Sequence, residues 1–260
     1  MTNYHILFLD IDGTILRPDD TIEESTKEAV TKVQEKGIEV FLATGRPLHE
    51  IRDIGKELNI HSFIGYNGAY AVHREKEVFK EYMPKSTIER YLQISTKNKH
   101  EMVLYTNSKN TFTSFESPLV EEFIHHFHLK ENDSFSNNLI NDILGITVMG
   151  VSDDEYTLYE DSDIHLSQVN VEGLGHCYDV IRNKVNKGIA VQAILRHLNI
   201  SPENAIAFGD GMNDKEMLSY VGESFAMGNA NPNLFTYAKH KTTDVMNAGI
   251  YNGLKSLGLL

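Results

Sequence analysis

Short apolar runs alternate with amphipathic segments in the first part of the chain. Residues 6–9, 40–43 and 63–66 have the length and composition of buried strands. Between them, apolar side chains recur at helical spacing from Ile22 to Val33 and from Leu48 to Leu58, where Pro47 is predicted to open the second helix. This alternation is typical of a parallel sheet covered by helices. We therefore predict a Rossmann-like, doubly wound α/β core.

The middle of the chain lacks this alternation. Candidate strands lie at residues 103–105, 112, 147–149 and 166–169, with a candidate helix between Pro118 and Phe127. The α/β alternation returns with a helical pattern from Ala190 to Leu198 and an apolar run at residues 205–208. The pattern predicts an inserted α+β cap domain at residues 83–180, within a core formed by residues 1–82 and 181–260.

Charge and composition exclude several kinds of partner. The chain has 37 acidic and 24 basic residues, for a net charge of −13, and residues 83–180 carry 16 of the acidic and six of the basic residues. This surplus repels nucleic-acid phosphates and anionic membranes. No apolar run reaches the roughly 18 residues of a membrane-spanning helix, no secretory signal is evident, and Cys177 has no partner for a disulfide. We expect a cytoplasmic protein, monomeric or a small homo-oligomer, that binds neither nucleic acid nor membrane.

Two acidic clusters directly follow apolar strands. Asp10 and Asp12 come after the first strand, and Asp210 and Asp214 come after residues 205–208. Ligands of doubly wound sheets bind beyond the carboxyl ends of the strands. A lone Asp-x-Asp is most often a turn or a cap, but several carboxylates gathered at one edge repel one another unless a cation joins them. Ligand sets made only of oxygen favour Mg²⁺, so the sequence predicts a Mg²⁺ site.

Other polar residues near these strand ends suit a phosphate group. Thr44, Gly45 and Arg46 follow the second strand and offer a hydroxyl and backbone amides before the predicted helix. Lys187 could supply a compact positive charge, and Asn213 could supply an amide donor. Because Mg²⁺ in proteins usually acts on phosphates, we expect the substrate to be a small phosphorylated metabolite.

These residues resemble the ordered motifs of the haloacid dehalogenase superfamily. The four matching segments are Asp10-Ile11-Asp12-Gly13-Thr14, Thr44-Gly45-Arg46, Lys187-Gly188 and Gly209-Asp210-Gly211-Met212-Asn213-Asp214. Their order and spacing are similar to those of its Cof-type phosphatases, which carry a type IIB cap between the second and third motifs. The resemblance implies Mg²⁺-dependent hydrolysis of small phosphomonoesters, such as sugar phosphates, flavin mononucleotide or pyridoxal phosphate, through an aspartyl-phosphate intermediate.

The resemblance also implies a role for each matching residue. Asp10 would be the nucleophile and a metal ligand, and Asp12 would be the general acid and base, with its backbone carbonyl on the metal. Asp210 would bind Mg²⁺, with Asp214 beside or behind it. The residues that would hold the phosphoryl group are Ile11, Thr44, Gly45, Arg46, Lys187 and Asn213.

Three other functions fit part of the pattern. A phosphotransferase or mutase could share the same core. A non-catalytic phosphate-binding regulatory module would not need an acid at Asp12, and an unrelated Asp-rich or response-regulator-like domain would not need the large insertion.

We expect the acidic insertion to form a mobile lid that selects the leaving group, favouring neutral polyols or cationic rings over further negative charge.

Overall fold

The computed structural model describes residues 3–169, 171 and 173–260. The strands are β1 (Ile6–Leu9), β2 (Glu39–Ala43), β3 (Phe63–Gly65), β4 (Tyr70–His73), β5 (Lys76–Lys80), β6 (Glu101–Tyr105), β7 (Asn110–Phe112), β8 (Asn132–Ser134), β9 (Gly145–Met149), β10 (Ile164–Gln168), β11 (Cys177–Arg182), β12 (Ala205–Gly209), β13 (Glu223–Ala226) and β14 (His240–Lys241). The α-helices are α1 (Glu24–Glu35), α2 (Arg52–Glu57), α3 (Lys85–Asn98), α4 (Pro118–His126), α5 (Lys187–Leu198), α6 (Lys215–Tyr220) and α7 (Gly249–Ser256). None of the helices in the described ranges combines the length and the apolar character needed to cross a bilayer.

The chain divides into two compact units. The core unit comprises Met1–Arg46, Arg52–Lys80 and Asn186–Leu260, and the inserted unit comprises Pro47–Ile51 and Glu81–Val185. The longer segment of the inserted unit, Glu81–Val185, extends slightly beyond the predicted bounds of residues 83–180 at both ends. The segment Pro47–Ile51, which the sequence pattern placed in the core, belongs to the inserted unit.

The core unit is built on an eight-stranded sheet with the order β14-β13-β12-β1-β2-β3-β4-β5. The strands from β14 to β3 pair in parallel, and the hairpin β4–β5 adds two antiparallel strands at one edge. This arrangement confirms the predicted Rossmann-like fold. It also makes β12, β1, β2 and β3 immediate neighbours, so their carboxyl ends lie side by side.

Helices cover both faces of this sheet, which explains the continuous apolar runs in its central strands. On one face, Ile6 and Phe8 of β1 share a buried cluster with Ala190 and Ile194 of α5. On the other face, α7 approaches so closely that a Cβ atom on Gly253 would lie 2.5 Å from the ring of Phe208. The sheet is therefore a rigid platform for whatever follows its strand ends.

The helix predicted from Pro47 to Leu58 is wrong in one respect. The structure has a short 3₁₀ turn at Leu48–Glu50, followed by α2. The break occurs at Ile51, whose backbone angles of φ −107° and ψ 3° are not helical. Apolar spacing alone could not show this break, because it does not reveal contacts with residues far along the chain, such as that of Nε2 of His49 with Oδ1 of Asn110 at 2.9 Å within the inserted unit.

The inserted unit contains a six-stranded sheet with the order β10-β11-β9-β6-β7-β8. All neighbouring strands are antiparallel except β7 and β8. Helix α3 packs on one face through Ile88 and Tyr91, and α4 packs on the other through Val120 and Phe123. The sequence pattern did not predict β8, since its residues Asn-Asp-Ser are all polar and pair only along a sheet edge.

Candidate active site

The polar residues predicted from the sequence lie at the carboxyl ends of the core sheet's central strands. Asp210 follows β12, Asp10 follows β1, Thr44 follows β2 and Asn67 follows β3 by two residues. Since these four strands are adjacent and parallel, their ends bring together residues that are far apart in sequence.

Three carboxylates converge at these strand ends. Asp10, Asp210 and Asp214 each offer one carboxylate oxygen, and these oxygens lie within 4.8 Å of one another. Asp10 is 5% exposed and Asp214 is fully buried. Carboxylates packed this closely away from water require positive charge nearby.

Lys187 supplies a buried positive charge to the cluster. Its Nζ lies 2.6 Å from Oδ1 of Asp10 and 2.6 Å from Oδ1 of Asp214. The side chain is placed by the start of α5, where Asn186 caps the helix by accepting a hydrogen bond from the backbone N–H of Ile189. Although burial alone would lower the pKa of Lys187, the two aspartates raise it above its ordinary value, so the ammonium stays charged.

One ammonium does not balance three carboxylates. Burial and the charge of Asp214 raise the pKa of Asp10 well above its ordinary value, despite the opposing effect of Lys187. The same two causes, burial first, raise the pKa of Asp210 from 3.8 to about 6. A divalent cation held by oxygen ligands would remove this imbalance, so the residues present fit a Mg²⁺ ion.

Asp214 has both of its oxygens engaged by the protein. Oδ1 accepts a hydrogen bond from Lys187, and Oδ2 accepts hydrogen bonds from the backbone N–H groups of Asp210 and Gly211. Gly209 leaves room for this arrangement, because a Cβ atom there would lie 2.5 Å from Cγ of Asp214. Asp214 thus fixes the loop that carries Asp210.

The loop after β1 fits closely against the same region. Gly13 has a φ of +75° and no space for a side chain, since a Cβ atom would lie 2.3 Å from Oδ2 of Asp210. Thr14 adds a hydrogen bond from Oγ1 to Oδ1 of Asp210 at 3.4 Å. The glycine therefore lets the two acidic clusters approach each other.

Asn229 is a site residue that the sequence analysis missed. Its Nδ2 donates to the backbone carbonyl of Gly13 at 2.8 Å and to Oδ2 of Asp210 at 3.3 Å. Its Oδ1 accepts a hydrogen bond from the backbone N–H of Val245. The available signal was the Gly-Asn pair shortly after the apolar residues of β13, which lies beside β12.

Asp12 is separated from the buried cluster and faces solvent. Its side chain is 54% exposed and forms a two-pronged ion pair with Arg46, whose Nε lies 3.0 Å from Oδ2 and whose second guanidinium contact reaches Oδ1. Arg46 therefore contacts the predicted general acid. Ile11, between the two aspartates, has a fully buried side chain, so only its backbone could face a ligand.

The second motif approaches the loop after β3. Thr44 is fully buried, and its Oγ1 accepts a hydrogen bond from the backbone N–H of Arg46 at 3.0 Å. A Cβ atom on Gly45 would lie 3.0 Å from Oδ1 of Asn67. The same Asn67 oxygen accepts a hydrogen bond from Nδ2 of Asn213 at 3.0 Å. Asn67 therefore links the second and fourth motifs.

Comparison with known proteins identifies the family. Residues 7–254 match the model of a family described as haloacid dehalogenase-like hydrolase. The chain belongs to this family. The match includes all four motifs and the inserted unit between the second and third of them.

Its relatives place the chain among the Cof-type phosphatases of the haloacid dehalogenase superfamily. It is 33% identical over 260 residues to a Bacillus subtilis (strain 168) protein named "Putative phosphatase YkrA", covering 98% of each chain. It is 30% identical over 240 residues to the HMP-PP phosphatase of Escherichia coli O6:H1, covering 89% of this chain and 86% of the other.

A solved structure supports the fold assignment. The subclass IIB sugar phosphatase BT4131 of the same superfamily superposes with a TM-score of 0.82 at 24% identity, covering 98% of this chain and 100% of the other. This likeness concerns the fold. The family match and the named relatives make the chain a phosphatase of this superfamily, whose members generally use a metal ion.

The raised pKa of Asp210 predicts how the stability of the metal-free enzyme depends on pH. A carboxyl group whose pKa is higher in the folded state contributes stability that is present below pH 3.8 and lost as pH rises through about 6. Asp210→Asn has no such proton to lose. In excess chelator, we expect its Tm to gain on that of the wild type by roughly 6–12 °C over this range, because a pKa raised by about two corresponds to about 3 kcal/mol and each kcal/mol moves the Tm by roughly 2–4 °C.

Thermal unfolding of both proteins across this pH range checks the prediction. Asp53→Asn is the matched control, because this carboxylate is 70% exposed on α2. A Tm difference between Asp210→Asn and the wild type that stays constant with pH would contradict the raised pKa of Asp210.

Proposed function

We propose that this phosphatase hydrolyses small phosphomonoesters with Mg²⁺ through a phosphorylated Asp10. The observation that carries the proposal is the contrast between two carboxylates only two residues apart. Asp10 is buried against Lys187, whose ammonium contacts one of its oxygens, whereas Asp12 is half-exposed. Two carboxylates in such different surroundings suit two different roles, one as nucleophile and one as acid and base.

The proposed reaction has two steps. In the first, an Asp10 oxygen forms a bond to phosphorus, the bond from phosphorus to the leaving oxygen breaks, and Asp12 gives that oxygen a proton. In the second, a water molecule attacks phosphorus, Asp12 takes a proton from the water, and the bond to Asp10 breaks. The products are an alcohol and inorganic phosphate, and the enzyme is regenerated.

The phosphoryl oxygens would be held by groups at the neighbouring strand ends. Lys187 contributes positive charge beside Asp10, and Asn213 contributes an amide held toward the site by Asn67. Backbone amides of Ile11 and Gly45 and the hydroxyl of Thr44 complete the proposed set. Donors fixed before the substrate arrives stabilise developing charge without reorganising during the reaction.

Arg46 takes part through Asp12. Its guanidinium holds both carboxylate oxygens of Asp12, so contact with a phosphoryl oxygen would require Arg46 to exchange at least one of these contacts. Arg46 can then turn to the phosphoryl oxygens, which suits its planar donor pattern.

The proposed Mg²⁺ ligands are the side chains of Asp10 and Asp210 and the backbone carbonyl of Asp12. Asp214 would hold the residues around the ion rather than coordinate it, because its oxygens already accept hydrogen bonds from Lys187 and from two backbone amides. When bound, Mg²⁺ would offset the repulsion between the Asp10 carboxylate and an anionic phosphate ester.

The substrate is proposed to be a sugar phosphate or a cofactor phosphate such as flavin mononucleotide or pyridoxal phosphate. This class is supported by the small-metabolite name of the HMP-PP phosphatase relative. A panel of phosphate esters with Mg²⁺, assayed by released inorganic phosphate, tests it, and a phosphorylated product without free phosphate would indicate a mutase or phosphotransferase instead.

Replacement of either aspartate should separate the two proposed roles. Asp10→Asn should lower kcat by at least about a thousandfold with every ester, because the amide is a poor nucleophile. Asp12→Asn should lower kcat/KM by about 10²–10⁴-fold with alkyl phosphates but less with p-nitrophenyl phosphate, whose leaving group needs little protonation. Its kcat should fall with both esters, because the second step, in which Asp12 takes a proton from water, is common to them. Steady-state phosphate release measures both effects.

The exposed variant Asp53→Asn is the control for this experiment and should keep wild-type kcat. Near-normal turnover by Asp10→Asn would rule out the proposed nucleophile. An equal loss of kcat/KM for both leaving groups in Asp12→Asn would rule out proton donation by that residue.

Metal removal should abolish activity. Excess chelator should stop phosphate release, and added Mg²⁺ should restore it better than Ca²⁺, since Ca²⁺ prefers longer bonds and more ligands. In parallel, Mg²⁺ should raise the Tm of the wild type but not that of Asp210→Asn. Full activity in excess chelator would contradict the metal dependence.

A further inference from the structure

Three consecutive residues after β3 have left-handed backbone angles. The φ angle is 53° at Tyr66, 53° at Asn67 and 99° at Gly68. Glycine and asparagine tolerate this region, but a large aromatic residue such as Tyr66 rarely adopts it. Strained residues of this kind persist only where the surrounding structure holds them, and they cluster at functional sites. We call residues 66–68 the left-handed turn.

Backbone hydrogen bonds hold the left-handed turn against the second motif. The N–H group of Tyr66 donates to the carbonyl of Arg46 at 3.2 Å, and the N–H group of Asn67 donates to the carbonyl of Thr44 at 3.1 Å. The side chain of Tyr66 is buried, so moving the turn would also expose an aromatic ring. The turn is therefore fixed relative to the loop after β2.

The start of α5 also packs against the left-handed turn. A Cβ atom on Gly68 would lie 2.2 Å from the carbonyl oxygen of Asn186 and 2.9 Å from the backbone nitrogen of Lys187. Asn186 is itself fixed as the cap of α5 through its hydrogen bond from Ile189. All of these residues belong to the core unit. The turn thus contacts two elements that each carry proposed phosphoryl ligands.

The side chain of Asn67 contacts the amide of Asn213. Oδ1 of Asn67 accepts a hydrogen bond from Nδ2 of Asn213 at 3.0 Å. The oxygen and the nitrogen of an asparagine amide have nearly the same shape, so packing alone does not decide which of them faces a ligand. An acceptor at Asn67 decides it, because a reversed Asn213 amide would place two oxygens against each other. One N–H bond of Asn213 is then used, and the other remains for a phosphoryl oxygen.

The Asn213 amide depends on this contact for its orientation. Asn213 is exposed, and among the described residues Asn67 is the one hydrogen-bond partner of its side chain. Asn67 is restrained in turn by Gly45, since a Cβ atom there would lie 3.0 Å from Oδ1 and 3.2 Å from Nδ2 of Asn67. An exposed amide without such a partner would sample several rotamers.

We propose that Asn67 is a positioning residue of the phosphoryl site, which holds the Asn213 amide so that its N–H group faces the phosphoryl oxygens. Asn67 acts through Asn213 and needs no contact with the substrate. A donor that is oriented in advance stabilises the charge that develops on the phosphoryl group during the reaction. The contacts of the left-handed turn offset the strain of presenting Asn67 in this way. This inference rests on the proposed function, because it concerns a donor in that reaction.

The test is a double-mutant cycle in the full-length protein. Asn67→Gly removes the acceptor and suits the left-handed backbone, so the variant should fold. Asn213→Ala removes the donor that Asn67 is proposed to hold. The measured quantity is kcat/KM with Mg²⁺, for the two esters of the phosphate-ester panel that the wild type hydrolyses best.

Asn67→Gly should lower kcat/KM by about tenfold with both esters, because the phosphoryl group is common to them and one hydrogen bond to a charged group has about this effect. Asn213→Ala should lower kcat/KM by at least as much. In the Asn213→Ala background, Asn67→Gly should cause no further loss, since the amide that it orients is already absent.

Asn59→Gly is the matched control. Asn59 is exposed, has a φ angle of 52° and precedes β3, whereas Asn67 follows this strand. The Tm of this variant reports the effect of exchanging asparagine for glycine at a left-handed position. Its kcat/KM should equal that of the wild type.

The possible failures are distinguishable. A wild type that releases no phosphate from any ester contradicts the proposed function. If the wild type is active, a loss from Asn67→Gly that persists in full in the Asn213→Ala background overturns the positioning role, because Asn67 would then act independently of Asn213. Unchanged kcat/KM in Asn67→Gly, or an equal loss in Asn59→Gly, overturns it as well.

Discussion

The ion pair on which the site depends is the contact of Lys187 with Asp10 and Asp214. A fully buried ammonium lies 2.6 Å from an oxygen of each carboxylate, and the same Asp214 holds the loop that carries Asp210. Removing Lys187 would leave the buried carboxylates without positive charge away from water, which typically costs several kcal/mol. One ammonium still leaves the three carboxylates short of positive charge, and this shortage supports the proposed site for a divalent cation.

The sheet order makes this ion pair possible. Asp10 and Asp214 are far apart in sequence, but they follow the adjacent parallel strands β1 and β12. Lys187, the first residue of α5, contacts both of them. The start of this helix is packed so tightly that a Cβ atom on Gly68 would lie 2.2 Å from the carbonyl oxygen of Asn186. Rigid strands, helices and close backbone contacts hold the three charges in place, as catalysis by preorganised groups requires.

The sequence revealed features that depend on local pattern and missed those that depend on long-range pairing. The apolar run of β1 and the acidic residues after it were evident, because a strand buried on both faces is continuously apolar. The parallel fold was evident from the alternation of apolar strands and amphipathic helices along the chain. Asn229 was missed because its partners become neighbours only when β13 joins the sheet, and Pro47–Ile51 was misassigned because the contact of His49 with Asn110 overrides the helical spacing.

The central claim, that Asp10 is the nucleophile, is tested most directly by trapping the phosphorylated enzyme. Asp12→Asn should still accept a phosphoryl group from p-nitrophenyl phosphate but should lose it slowly, because water is no longer deprotonated. Acid quenching followed by peptide mass spectrometry should show one added phosphoryl group, located on Asp10 and absent from the double variant that also carries Asp10→Asn. A phosphoryl group on another residue, or rapid phosphate release with none on the protein at any time, would contradict the account.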